Sequence, residues 1–242
     1  MSLKSSIGAW VRRQLGLTHF LTELLRVESR ATKLRIAKAV SPWTWSRIKR
    51  VRSMKGILVN VGCGPFVLPG FVNVDLFRHS PDIVPWDCRW SLPFADGAVL
   101  GIRAEHFFEH LEAREEAPAF LADCLRVLQP GGVLRIIVPD VARMLHAYAK
   151  GPNDLSGFRE FGVPDPFPED LPTRMDVVNH AFHQWHEHRW GYDAETLIHR
   201  MAKAGFVKAN QTEFGRSLIP GLAADREEHR PYSLYVEARK RD

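Results

Sequence analysis

Cysteine is scarce: Cys63, Cys88 and Cys124 are the only three in 242 residues. Their spacing offers neither pairs nor a zinc pattern, which excludes a disulfide-stapled scaffold and suits a reducing cytoplasm. Also missing is any run of the roughly 18–20 uncharged apolar residues that a membrane-spanning helix requires. The opening residues do not read as a signal peptide, because Arg12, Arg13, Gln14 and His19 interrupt their apolar positions. There are no internal repeats and no low-complexity tracts, so solenoids and disordered polymers drop out as well. What remains is ordinary globular composition, 45% hydrophobic and 25% charged, enough for one α/β domain with an appendage.

The net charge of +5 conceals two unlike parts. Residues 1–55 carry thirteen Lys or Arg against Glu23 and Glu28, so the remaining chain is net acidic. In this leader, Leu17, Phe20, Leu21, Leu24, Leu25 and Val27, then Leu34, Ile36 and Ala37, recur at helical spacing between basic residues. The spacing predicts a basic helical N-terminal segment over 1–55, broken at Ser41-Pro42, since proline disfavours helix in the residue before it. Such a helix is solvated on one face and packed on the other. Its charge would also suit an anionic membrane surface, placing the protein peripherally there, or an acidic protein partner. The acidic body argues against nucleic acid.

From Gly56 onward strands alternate with helices. The run 57–61 is short, apolar and β-branched, ends at Gly62, and reads as a buried parallel strand; 71–75 is another. Only 62–70 separate them, too few for a usual crossover helix, so a loop must serve. Further strands are expected at 82–84, 99–104 and 133–138, and helices at 107–128 and 193–204. Strand-like runs at 206–214 and 233–239 predict an antiparallel end to the sheet. The stretch 140–192, with five prolines and clustered histidines, reads as a lid or an acceptor-pocket insertion.

In such a sheet, ligands bind beyond the carboxyl ends of the strands, where the strand order reverses. Asn60-Val61-Gly62-Cys63-Gly64 closes the first strand, and its glycines let a ligand approach bare backbone. Asp75 ends the next strand, where a carboxylate can accept both hydroxyls of a ribose. A dinucleotide site would show a third glycine and an acid about twenty residues on. Here position 67 is Val and Asp75 follows Gly64 by only eleven residues, which favours a nucleoside cofactor without a pyrophosphate. Asp87 is either a solvated turn residue or an acceptor for an adenine amino group. The strand at 99–104 runs into Glu105-His106, and a histidine at that edge can act as a general base.

The order of these pieces resembles class I S-adenosylmethionine-dependent methyltransferases. The pieces are Asn60 to Pro65, Pro69 to Asp75, Leu92 to Gly97, His106 with Glu109-His110-Leu111, and Leu125 to Gly132. His188 to Asp193 and Ser233 to Ala238 extend the likeness, so that it covers 57–240. Within that class the chain is most similar to the methyltransferase type 11 group, and there to predicted enzymes of surface-polysaccharide biosynthesis. The resemblance implies an α/β, Rossmann-like, seven-stranded and mostly parallel sheet with an antiparallel C-terminal hairpin, occupying 56–242 as the methyltransferase domain. It also implies S-adenosylmethionine as cofactor. Asn60, Gly62, Cys63 and Gly64 would lie along its methionine part, Asp75 with Leu76 at the ribose, Asp87 at the adenine amino group, and His106 facing the crevice. Pro130-Gly131-Gly132 would turn into the fifth strand.

Three positions depart from the usual pattern. Asn60 stands where many such enzymes carry an acid, Phe66 where a third glycine would fall, and Leu100 where an aspartate is common. They leave open a protein that binds the cofactor without turnover, and the basic leader leaves open one that methylates a protein or nucleic acid. The leading expectation is methyl transfer to a small-molecule acceptor, most simply a hydroxyl oxygen of a sugar or another metabolite. His106 is the first candidate for the base, His188 the second and Glu105 the third. Asp140, Trp190 and Tyr192 are expected to bind the acceptor. Among His180, His183, His186 and His188 no ligand pattern stands out, and no metal site is expected there.

Overall fold

The computed structural model describes residues 18–161 and 171–242. The start of the leader and the prolines at 164, 166 and 168 lie outside the described residues. Seven strands form one sheet in the order β3-β2-β1-β4-β5-β7-β6. They are β1 (Ile57–Val61), β2 (Phe71–Asp75), β3 (Ile83–Pro85), β4 (Val99–Glu105), β5 (Leu128–Pro139), β6 (Val207–Thr212) and β7 (Ser233–Arg239). All pairings among β1 to β5 are parallel, and β7 runs antiparallel to both β5 and β6. The expected seven-stranded α/β sheet with its antiparallel C-terminal hairpin is therefore present.

The apolar runs form central strands because both their faces are covered. Val59, Val61, Ile102, Ala104, Leu134, Ile136, Val138 and Val236 are all fully buried. Each large aliphatic side chain buried in this way contributes about 1.5–3 kcal/mol. Helix α3 (Glu116–Val127) adds Phe120, Leu121, Cys124 and Val127 to the same core, and α6 (Ala194–Lys203) adds Leu197 and Met201. The single helix expected over 107–128 is divided. A short 3-10 turn spans Phe108–His110, and α3 begins only at Glu116. Strand β5 starts directly after α3, so Pro130-Gly131-Gly132 lies inside it. The register with β4 slips from Val99↔Leu128 to Gly101↔Val133, which makes these residues a bulge rather than a preceding turn.

The leader forms α1 (His19–Val40) and α2 (Pro42–Arg52), parted at Ser41 as proline requires. Thr18 and Ser41 cap the two helices, and Pro42 occupies the first turn of the second, where its missing N–H costs nothing. Between β5 and β7 the stretch 140–192 is more structured than a loop. Helices α4 (Val141–Lys150) and α5 (Arg174–His183) build a second small core from Met144, Ala147, Phe158, Leu171, Val177 and Val178. A parallel bridge between Asp140 and Tyr192 closes its two ends.

One buried cation organises the loop between β6 and β7. Arg135 on β5 is fully buried. It donates to Asp225 Oδ1 at 3.0 Å and Oδ2 at 2.5 Å, to Glu237 Oε1 at 3.0 Å, and to the carbonyls of Arg216 and Glu213 at 2.8 and 3.2 Å. All its N–H groups face acceptors, which is the condition under which a buried guanidinium is tolerated. Arg135→Met should leave Asp225 and Glu237 buried with little compensation and cost about 3–5 kcal/mol. Urea unfolding should show the loss as a lowered midpoint; an unchanged midpoint would mean that the network contributes nothing net.

Candidate active site

Strands β1 and β4 are neighbours, yet β1 leads outward to β2 and β4 leads to β5. Their outgoing loops therefore part, and the crevice at their carboxyl ends holds most of the residues singled out in the sequence. Gly62 and Gly64 leave β1 with φ of +63° and +52°, a region open to glycine at little cost. At Gly62 a Cβ would also meet the Phe107 ring at 2.4 Å, whereas at Gly64 it would meet nothing within 4 Å. The first glycine is thus a packing requirement, and the second leaves backbone bare toward open space.

Asp75 fixes this turn. Its Oδ2 accepts from the Gly64 N–H at 2.9 Å and its Oδ1 from the Phe77 N–H at 2.7 Å. Each oxygen retains a lone pair, and the residue lines the larger of two adjoining cavities, so paired hydroxyls can still be received. Asn60 points inward beneath the loop. Its amide donates to the Phe66 carbonyl and to Asn73 Oδ1, both at 3.0 Å, and Asn73 in turn holds Leu68 through both its N–H and its carbonyl. A short helixless crossover is stable here because two buried amides satisfy its backbone. Cys63 is buried beside it, and burial followed by the Asp75 charge pushes its thiol up to about 12, so it is inert.

The larger cavity, about 510 Å³, is lined by Gly62, Asp75, Leu76, Phe77, Asp87 and Cys88, by His106 and His110, and by His186, Glu187 and Arg189. Another wall is α1, through Glu23, Leu24, Arg26, Val27 and Glu28. The basic residues that read as a solvated face instead hold that wall in place. Arg30 donates to the Leu76 carbonyl at 3.3 Å, Arg26 lies 4.4 Å over Phe77, and Lys38 lies 3.2 Å over Trp86. Asp87 is buried and already engaged. Arg89 binds it in bidentate fashion at 2.9 and 3.0 Å, Arg35 of α1 adds a third contact at 2.9 Å, and Arg89 also reaches Glu28. Burial would raise the Asp87 carboxyl, but Arg89 and then Arg35 outweigh it and hold it below the usual range. Arg89 and α1 were not singled out at this site from the sequence, where the available clue was an Arg two residues after Asp87.

A smaller cavity, about 180 Å³, adjoins at Gly62 and His106 and is lined also by Asn60, Cys63, Gly64, Arg103, Glu105 and Arg226. Glu105 is clasped by Arg103 and lies 3.3 Å from His229 Nδ1. Burial would raise its carboxyl, yet His229 and Arg103 bring it down to about 2, so it stays ionised and is a poor base near neutrality. His106 sits where the two cavities meet, at φ +50°. Its Nε2 is 2.9 Å from Ser233 Oγ, its Nδ1 is 3.2 Å from Glu109 Oε1, and its ring packs 4.1 Å from His229. Ser233, His229 and Glu109 are partners that sequence reading missed.

The other expected residues lie apart from the cavity lining. His188 is buried behind His110 with its Nδ1 2.9 Å from the Ala181 carbonyl, and burial lowers its imidazole to about 4. Asp140 caps α4 by accepting from the Arg143 N–H at 3.3 Å. Tyr192 is buried against Phe108, 5.1 Å between rings, and Trp190 is half-exposed near Arg200. From the 140–192 segment the larger cavity receives His186, Glu187 and Arg189 rather than the aromatic residues.

The two glycines make a paired test. Gly62→Ala combines strain with a clash and should destabilise the fold by about 1–3 kcal/mol. Gly64→Ala should cost only about 1 kcal/mol of backbone strain while filling space over the turn. Thermal melts of both proteins check this, and equal losses would remove the distinction.

Residues 73–136 match the family model described as a methyltransferase domain. No curated protein matches the chain. Among solved structures, an S-adenosylmethionine-dependent methyltransferase from Thermotoga maritima is 16% identical, with 90% of this chain and 100% of that one covered at a TM-score of 0.48. One from Archaeoglobus fulgidus is 15% identical, covering 92% and 100%, also at 0.48. The 1,6-didemethyltoxoflavin-N1-methyltransferase of Burkholderia thailandensis, with S-adenosylhomocysteine bound, is 13% identical, covering 100% and 92% at 0.44. Overlaps this loose say nothing about an acceptor. The matched segment runs from within β2 into β5, taking in β4 and the loop that holds Asp87, and it leaves out β1 and its glycine turn.

Proposed function

We propose that this chain transfers a methyl group to a hydroxyl oxygen of a small-molecule acceptor, with His106 as the base. The observation that carries this reading is the place of the His106 ring, at the junction of two cavities, with Ser233 at Nε2 and the Glu109 carboxylate beside Nδ1. The residues fit the cofactor. Bare backbone at Gly64, a fixed carboxylate at Asp75 and a cavity within the roughly 300–1,000 Å³ range of ligand sites suit a nucleoside. Asp75 would take the ribose hydroxyls and Leu76 would lie beside them. The zwitterionic tail would find Asn60 and Glu105 for its ammonium and Arg226 for its carboxylate in the smaller cavity. Asp87, committed to two arginines, would serve by fixing α1 over the adenine, with any bond to the amino group being secondary. When bound, the cofactor supplies a methyl carbon on a positively charged sulfur.

The protein's part is alignment, proton removal and exclusion of water. Glu109 beside Nδ1 favours the tautomer whose proton is there, which leaves the Nε2 lone pair on the Ser233 side. Nε2 would take the proton of the acceptor hydroxyl as that oxygen receives the methyl group. His188 and Glu105 are less suited, one lying behind His110 and the other held ionised by its partners. Glu112, Glu187 and Arg189 give the acceptor side of the larger cavity a polar wall, which suits a polyhydroxyl compound. A sugar of the kind methylated in surface-polysaccharide biosynthesis is the acceptor class to try first. No described helix is long and apolar enough to cross a membrane, and half-exposed or exposed Ile36, Val40, Trp43 and Trp45 give the leader an apolar patch for a membrane surface or protein partner.

Asp75→Ala should weaken S-adenosylmethionine binding by about 1.5–3 kcal/mol, the scale of lost hydrogen bonds to a charged group. Calorimetry on the folded variant reads this directly, and unchanged affinity would displace the ribose from Asp75. His106→Gln should lower turnover about 10²–10⁴-fold with cofactor affinity nearly intact. Normal turnover of the true acceptor by that variant would remove His106 from the chemistry.

A further inference from the structure

The turn after β4 and the end of the 140–192 segment are bound to each other closely. The Glu109 carbonyl accepts from the N–H groups of Arg189 and Trp190, at 2.8 and 3.2 Å. The Glu187 carbonyl lies 3.0 Å from His110 Nδ1. These backbone ties bring His188 against Glu109 and His110, with the two imidazole rings 5.0 Å apart and edge to face. Ligand atoms from Glu109, His110 and His188 all fall within 4.8 Å of one another.

What is unusual is how little holds them. Glu109 is 1% exposed, and among the described residues neither of its carboxylate oxygens accepts a hydrogen bond. His106 Nδ1 comes within 3.2 Å of one of them without hydrogen-bond geometry. His188 is 7% exposed, and its Nε2 has no partner while its Nδ1 is fixed by the Ala181 carbonyl. A proton on Nδ1 leaves the Nε2 lone pair free, the arrangement in which a histidine ligates through one nitrogen and is oriented through the other. A buried carboxylate without hydrogen bonds is costly, and neutral imidazoles do not offset that cost. A divalent cation would.

We propose that Glu109, His110 and His188 hold one divalent transition-metal ion of the zinc class. Two imidazoles and one carboxylate, with no thiolate near, suit zinc, cobalt or iron(II) better than the hard cations, which prefer oxygen. Bonds of about 2.0–2.2 Å place ligand atoms roughly 3–4.4 Å apart, so small side-chain rotations close the present spacing. The site stays open on the side where His110 lines the larger cavity, next to His106. An acceptor hydroxyl bound in the open position would lose its proton more readily, the proton passing to His106 as the oxygen attacks the methyl carbon. That catalytic role rests on the methyl-transfer reading, but the binding of the ion does not. The set escapes sequence reading because the histidines that cluster in sequence, at 180–188, contribute only His188; its partners come from a turn about eighty residues earlier.

The test is a cobalt(II) titration of the full chain, freed of metal with a chelator, followed by its visible absorption. One ion per chain, with bands typical of nitrogen and oxygen ligands, is the expected result. Glu109→Gln and His188→Gln should each weaken binding about 100-fold or more. His110→Gln, at a half-exposed position that the fold tolerates more easily, should do the same with S-adenosylhomocysteine still bound. Absence of the absorption in the wild-type protein would overturn the proposal and leave Glu109 simply facing His106 Nδ1. So would binding that the folded His110 variant retains in full. Neither result depends on turnover, so methyl transfer could stand while the metal site fell, or the reverse.

Discussion

Two neighbouring parallel strands that send their chains in opposite directions cannot cover the space between their ends, and this site depends on that gap. β1 turns outward at Gly62 toward β2, and β4 turns the other way at His106. Both residues sit at positive φ, one permitted by having no side chain, the other at a strain of about 1–3 kcal/mol that the surroundings must sustain. Phe107 packs into the space that Gly62 leaves empty, so the two turns are fitted to each other. Asp75 then locks the first turn through Gly64, and Ser233 and Glu109 flank the second through His106. The proposed cofactor contacts and the proposed base would both follow from a single reversal in strand order.

Charge closes the crevice. Basic side chains along α1 contact the residues after β2 and β3, with Arg89 at the centre of a cluster that joins Asp87, Glu28 and Glu116. Exposed ion pairs contribute little, but Asp87 is buried and doubly paired, which makes this cluster a structural tie between leader and sheet. A leader whose composition changes sharply at Gly56 is therefore separate in sequence and joined in space. Its remaining exposed surface includes Trp43 and Trp45.

The strands were legible because a buried parallel strand must be short, apolar and β-branched, and 57–61, 71–75 and 99–104 are all three. Asp75 and the two glycines were legible for a related reason, since local spacing after a strand fixes where they fall. What escaped was whatever depends on long-range pairing. Asp87 looked available because Arg35 stands fifty-two residues away, and the α1 face looked solvated because its acidic partners lie in other elements. Tyr192 and Trp190 suggested a pocket, but Tyr192 fills a space against Phe108 that any buried aromatic could occupy. The stretch expected to be a lid contains helices with a core of their own, built by Met144 and Ala147 from one and Val177 and Val178 from the other.

The crevice between β1 and β4, walled by α1, is proposed to receive S-adenosylmethionine with its sulfur toward His106. A crystal structure of the full chain with S-adenosylhomocysteine tests it most directly. The expected structure has the ribose on Asp75, the adenine between Leu76 and α1, and the sulfur facing the His106 ring. A bound molecule whose ribose lies away from Asp75, or whose sulfur faces away from His106, would contradict it.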